Sequence, residues 1–142
     1  MGKRILVPVD GSEQAHRAFE FVTEEFGDAE VVLLHVVNPA EAGYSAQASI
    51  PSFSEEWYES EQAAAEKLFD EIAALADETD LSIEREIEVG KPIRAIVEFA
   101  DERGVDQIVM GSHGRSGVTR ILLGSVAEAV VRRSPVPVTV VR

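Results

Sequence analysis

Glycines at 111, 114 and 124, the last followed by Ser125, punctuate the stretch GSHGRSGVTRILLGS between a short apolar run and a segment with helical periodicity. Without a Cβ, a backbone takes positive φ and lets a ligand approach its N–H groups. A helix starting after Gly124-Ser125 adds N–H donors with no intrahelical partner and a partial positive charge. The spacing therefore predicts an anion site of the kind that holds phosphates. Charge points the same way. Residues 111–142 hold Arg115, Arg120, Arg132, Arg133 and Arg142 against Glu128 alone, whereas residues 1–110 hold 8 basic and 25 acidic residues. An anionic ligand fits the one basic segment of an acidic chain, and so does a subunit contact.

Other chemistry is excluded by what is missing. Cysteine is absent, which removes disulfides, thiolate metal sites and a cysteine nucleophile. A net charge of −13 repels nucleic acid and anionic membranes. Only Lys3, Lys67 and Lys91 are lysines, and such an acidic, lysine-poor surface fits a halophilic protein, in which high salt screens self-repulsion. No apolar run approaches the roughly 18 residues of a membrane span, and MGKRILVPVD reaches proline and aspartate too early for a signal peptide. The expectation is a cytoplasmic protein with one domain over residues 1–142.

The elements that must position the loop follow from periodicity. RILVPV (4–9) is rich in β-branched residues and predicts a strand ending at Asp10-Gly11-Ser12. Ala15, Ala18, Phe19, Val22 and Phe26 then fall at helical spacing, with Asp10 or Ser12 as cap and Gly27 as stop. EVVLLHVV (30–37) is nearly all apolar, as in a parallel strand buried on both faces. Residues 38–54, broken by Pro39, Gly43 and Pro51, predict a long loop covering the site. The longest helix is predicted over 55–79, with Leu68, Ile72 and Leu75 on its apolar stripe. SIEREIEV (82–89) alternates apolar and charged residues and predicts a half-exposed strand near a sheet edge. Pro92 opens a helix that presents Ile93, Ile96, Val97 and Ala100 and stops at Gly104. DQIVM (106–110) is the fourth strand, 126–133 a short helix, and VPVTVV (136–141) the last strand.

Strands alternating with helices predict an α/β fold of Rossmann-like type, a three-layer sandwich with a five-stranded parallel sheet and helices on both faces. Right-handed crossovers leave few arrangements, of which 3-2-1-4-5 places the first strand centrally. Ligands in such sheets bind outside the carboxyl ends of the strands where the chain reverses direction. Here that point lies between Asp10-Gly11-Ser12 and the glycine loop.

The loop matches neither G-x-G-x-x-G nor the Gly-Lys-Ser/Thr of a P-loop. Its spacing, Gly111-x2-Gly114-x9-Gly124-Ser125, together with KRILVPVDGS, LLHVV, the Val-Met-Gly-Ser-His-Gly run and LLGSVAEAVVRRSPVPVTVV, resembles the ATP-binding branch of the universal stress protein family over essentially the whole chain. The resemblance implies ATP as ligand, with or without Mg2+, and a nucleotide-dependent stress-response or regulatory module. It implies that Asp10, with Pro8 and Val9 nearby, contacts the ribose side and that the Val36 backbone meets the adenine. Met110, Gly111, His113 and Gly114 would then line the sugar and first phosphates, with Gly124, Ser125 and Val126 taking the rest. It also implies a homodimer paired through the last strand, Val136 to Val141. Arg115 is added on physical grounds, since a guanidinium at the loop's entrance can pair with a phosphate.

Several of these residues have a second reading. Asp10 can cap the first helix. Ser125 and Glu128, three apart, form a capping-box pattern, so Ser125 can satisfy its own helix; Glu128 also sets a carboxylate near any phosphate, where a metal ion would be needed between them. His35, inside the most apolar strand, reads as a satisfied core histidine. No orienting acid accompanies His113, so no residue is assigned a catalytic role. Two alternatives to the binding module stand beside it: a weak ATPase or nucleotide-processing enzyme, whose phosphoryl-transfer template needs more than anion donors, and a dimerisation module with an unused pocket.

Overall fold

Ile5, Leu6 and Val7 are successive residues of one strand, and all three are fully buried. Only a strand covered on both faces allows this. In the computed structural model, which describes residues 2–40, 55–76, 80–112 and 123–142, that strand is β1 (Arg4–Pro8), the centre of a five-stranded parallel sheet. The remaining elements are α1 (Glu13–Glu25), β2 (Glu30–Val37), α2 (Glu55–Ala73), β3 (Ser82–Val89), α3 (Pro92–Glu102), β4 (Gln107–Gly111), α4 (Ser125–Arg133) and β5 (Val138–Val141). The strand order is β3-β2-β1-β4-β5, the arrangement expected from the sequence.

Alternation along the strands divides the core in two. Ile5, Val7, Val31, Leu33 and Val109 face α1 and α2, meeting Ala15, Ala18, Phe19 and Val22 of the first and Ala65, Phe69 and Ile72 of the second. Leu6, Val32, Leu34, Ile108 and Met110 face α3 and α4, meeting Ile96, Phe99 and Ala100, and Ala127 and Val130. Fully burying a side chain such as Phe19 or Phe69 contributes about 1.5–3 kcal/mol, so the strand pattern fixes which helix lies on which face.

Element ends explain the departures from expectation. β2 and β3 coincide with their predicted spans and pair along their whole length, from Glu30 opposite Ser82 to Val37 opposite Val89. β3 is the outer strand, with Ile83 and Ile87 packed on the first core and Arg85 between them bound to Asp70 of α2 at 2.8 Å. Leu75 does not continue the α2 stripe. The chain tightens into a 3-10 turn at Ala74–Ala76, which rotates Leu75 outward to 43% exposure, while Phe69 takes the inward position. α1 ends at Glu25 with Phe26 as its C-cap, the Phe26 N–H still donating to the Val22 carbonyl at 2.8 Å, and Gly27 follows the cap as the sequence expects. Gly104 follows the Arg103 cap of α3 at φ +66, a left-handed conformation suited to glycine. Of the predicted loop over 38–54, residues 41–54 lie outside the described residues.

Candidate functional site

β1 and β4 lie side by side, with Ile5 opposite Gln107 and Leu6 opposite Ile108. The chain leaves β1 toward β2 and β3, then returns past it to β4. Their carboxyl ends therefore open a crevice at the point of reversal, and the segments leaving both strands build its walls.

On the β1 side, Val9 continues the ladder by one bond, its N–H donating to the Leu34 carbonyl at 2.9 Å. The turn that follows is held internally. The Ser12 N–H donates to Asp10 Oδ1 at 3.0 Å, and Gly11 sits at φ +85, which a residue with a Cβ rarely adopts. Ser12 is the N-cap of α1, its Oγ accepting from the Ala15 N–H at 3.2 Å. Of the two cap candidates in the sequence, Ser12 does the capping and Asp10 braces the turn before it. His35 on β2 reaches across to the same turn, its Nδ1 2.9 Å from the Val9 carbonyl. The imidazole is thus satisfied, as the sequence suggests, although half-buried rather than enclosed.

On the β4 side, Gly111 has a role different from that of a ligand-facing glycine. It is absent from the positive-φ glycines among the described residues. A Cβ at this position would lie 2.6 Å from Gln14 Cβ and 2.8 Å from the Gln14 carbonyl carbon. Gly111 is there so that the first turn of α1 can rest directly on β4. The buried Ser112 follows, its N–H donating to the Val141 carbonyl at 2.8 Å, and its own carbonyl accepts from the Gly124 N–H at 2.7 Å. That last bond closes the base of the glycine segment and sets the start of α4 beside the end of β4.

The start of α4 corrects the capping-box reading. Gly124, at φ −70 and ψ 164, is the N-cap, and among the described residues no side chain caps the helix. Ser125 is the first helical residue, one place too late to cap. Glu128 pairs with Arg132 at 3.1 Å, one turn along the helix. The first helical bond runs from the Glu128 N–H to the Gly124 carbonyl at 3.0 Å, so the N–H groups of Ser125, Val126 and Ala127 have no intrahelical partner. They form a donor cluster at the positive end of the helix dipole.

The structure brings Pro8, Val9, Asp10, Met110, Gly111, Gly124, Ser125 and Val126 to this one end of β1, β4 and α4, with Val36 near the end of β2. Val9 and Met110 are buried, at 3% and 5% exposure, so their side chains belong to the core and only their backbones are available to a ligand. Val36 and Val126 pack partly against the second core. His113, Gly114 and Arg115 lie outside the described residues. Gln14 and Ser112 were missed as supports of the site, because packing against a glycine and a backbone bond across a loop leave no residue-type signal. Among the described residues, no group of three or more His, Asp or Glu is placed to hold a metal ion.

Comparison with known proteins places these features in context. A family model described as the universal stress protein family matches residues 1–142. Universal stress protein MJ0531 of Methanocaldococcus jannaschii is 39% identical over 99% of this chain and 82% of its own. The solved structure of MJ0577, from the same organism, is 36% identical and superposes with a TM-score of 0.84 over 99% of this chain and 96% of that one. A universal stress protein solved in complex with cAMP is 27% identical, with a TM-score of 0.64 over 99% of this chain and 97% of the other.

Proposed function

This chain belongs to the universal stress protein family, and on that premise we propose that it works as one domain over residues 1–142, a cytoplasmic regulatory module that binds ATP in the crevice between β1 and β4. The observation that carries the reading is the start of α4, which no side chain caps among the described residues. Three N–H donors there have no intrahelical partner, at the crevice where open α/β sheets take ligands. Glu128 pairs with Arg132 along the helix, which eases its repulsion of a phosphate. Asp10 supplies an acceptor on the opposite wall, suited to a ribose hydroxyl. A relative's complex with cAMP supports an adenine nucleotide as the ligand class, and the intact glycine spacing supports a polyphosphate. His113, Gly114 and Arg115 are assigned to the phosphates on sequence alone.

Calorimetry with ATP, ADP, AMP and cAMP, run beside mass spectrometry of the purified protein, tests the reading. Saturable ATP binding, strongest for the triphosphate, is expected. No heat with any of the four and no bound nucleotide in the preparation would sink it.

The same reading includes a homodimer paired through β5. That strand ends the sheet, and all four of its residues are half-buried in the single chain. An edge with unpaired backbone groups invites a second strand. Val138 packs partly on the second core, so Val140 is the cleaner position to change. Val140→Lys, and more completely Val138→Lys with Val140→Lys, is expected to give a monomer by light scattering with its helical circular dichroism retained. A dimer that survives both changes would remove β5 as the contact.

A further inference from the structure

We propose that His35, supported by His16, is a positioning residue that sets the β1–α1 turn, and with it Asp10, in the shape that receives the ligand. This deepens the nucleotide reading and rests on it. Two imidazoles meet the turn over residues 9–12 from its two ends. His35 Nδ1 lies 2.9 Å from the Val9 carbonyl oxygen, and His16 Nδ1 lies 3.0 Å from the Ser12 carbonyl oxygen. A carbonyl oxygen only accepts, so each ring holds its proton on Nδ1 and donates it. Between the two anchored carbonyls stand Asp10 and Gly11, with the Ser12 N–H already bound to Asp10 Oδ1. A turn tied at both ends and across its middle does not have to be ordered by the ligand, and binding gains by that much.

The two histidines contribute unequally. The Ser12 carbonyl also accepts the His16 backbone N–H at 3.3 Å, so losing the His16 ring leaves that oxygen a partner. Val9 lies beyond the last residue of β1, its side chain buried, and the donor to its carbonyl comes from the neighbouring strand. The sheet itself does not depend on that ring. Pro8 is already in register with Leu34, and the Val9 N–H already holds the Leu34 carbonyl. Loss of the His35 donor is therefore felt in the turn that carries Asp10 more than in the β1–β2 pairing.

Three substitutions separate positioning from bulk. Asn places its amide nitrogen where Nδ1 stands, Gln places it one bond further out, and Leu removes it. ATP affinity would be measured for His35→Asn, His35→Gln and His35→Leu by calorimetry, alongside nucleotide-free unfolding midpoints and a 15N spectrum of the wild-type imidazoles. The expected result is a loss of about tenfold for Leu and Gln and less than about threefold for Asn, the size of one hydrogen bond. Midpoints should stay together, and the His35 proton should be found on Nδ1. Wild-type affinity in His35→Leu, an Asn variant as weak as Leu, or a proton on Nε2 overturns the positioning role and leaves nucleotide binding standing. A wild-type protein that binds no adenine nucleotide overturns the proposed function, and this inference with it.

Discussion

Gly111→Ala is expected to destabilise the protein by about 2–3 kcal/mol and to weaken nucleotide binding in the same step. The added methyl would stand 2.6 Å from Gln14 Cβ, 2.8 Å from the Gln14 carbonyl carbon and 2.9 Å from its oxygen. Two of those three atoms are backbone, so no rotamer change relieves the contact and α1 must lift from β4. That helix is held down by Ala15, Ala18, Phe19 and Val22, all buried, and lifting it loosens their packing. Gln14 lies two residues beyond Ser12, so the displacement reaches the turn that carries Asp10. For a domain of this size the midpoint should fall by roughly 4–10 °C, read by thermal unfolding, with calorimetry for the affinity. Gly27→Ala is the matched control. Its Cβ would find nothing nearer than the Thr23 carbonyl oxygen at 3.9 Å, and its effect should stay within about 0.5 kcal/mol. A Gly111→Ala protein that melts with the wild type would mean that α1 does not rest on β4 in this way.

Gly111 also shows where the sequence stops speaking. Its membership of a glycine-punctuated stretch is visible in the chain, but its reason is not, because the atoms that exclude a side chain there belong to Gln14, nearly a hundred positions earlier. The fold was far more legible. EVVLLHVV and SIEREIEV state their burial on both faces and on one face through their periodicity alone, and the structure places β2 inside the sheet and β3 at its edge. Local competition was harder to read. Ser125 and Glu128 satisfy the capping-box spacing, yet Gly124 takes the cap and Glu128 turns to Arg132, an alternative partner on the same helix face that a three-residue pattern ignores. Leu75 obeys the helical period of α2 and still faces outward, because the helix changes pitch one residue before it. His35 was read rightly as satisfied. That its partner is the carbonyl next to Asp10 follows only from the β1–β2 register.

Arg4→Met is expected to destabilise the protein by about 2 kcal/mol at pH 7 without touching nucleotide affinity. Arg4 opens β1 at the amino end of the sheet, the end away from the site. Its Nη1 bridges Glu30 of β2 and Glu84 of β3, its Nε donates to the Arg103 carbonyl at 2.9 Å, and its backbone N–H donates to Asp106 Oδ2 at 2.9 Å. One guanidinium thus joins three strands to the turn that enters β4. Its own pKa is raised: burial works against the charge, and the hydrogen bonds to Glu84 and Glu30 outweigh it. Glu84 is lowered, first by the hydrogen bond from Glu86 and then by the one from Arg4, whereas Glu86 is raised by burial and by the neighbouring Glu84. The signs are opposite. The stability owed to Glu84 is present above the ordinary glutamate pKa and is lost as pH falls through its lowered value. The contribution of Glu86 is present below the ordinary pKa and is lost as pH rises through its raised value. Two outcomes follow in urea titrations across pH. The Arg4→Met penalty should be full at pH 7 and shrink in acid, below the ordinary glutamate range, as Glu84 takes up its proton. Glu86→Gln, which keeps a donor toward Glu84 at every pH, should stabilise the protein at pH 7 and change nothing in strong acid. An Arg4→Met penalty constant across that range would assign the loss to the Arg103 carbonyl and to packing of the arginine stem rather than to the carboxylates, and a Glu86→Gln variant no more stable than wild type at pH 7 would show that the two glutamates do not share a proton.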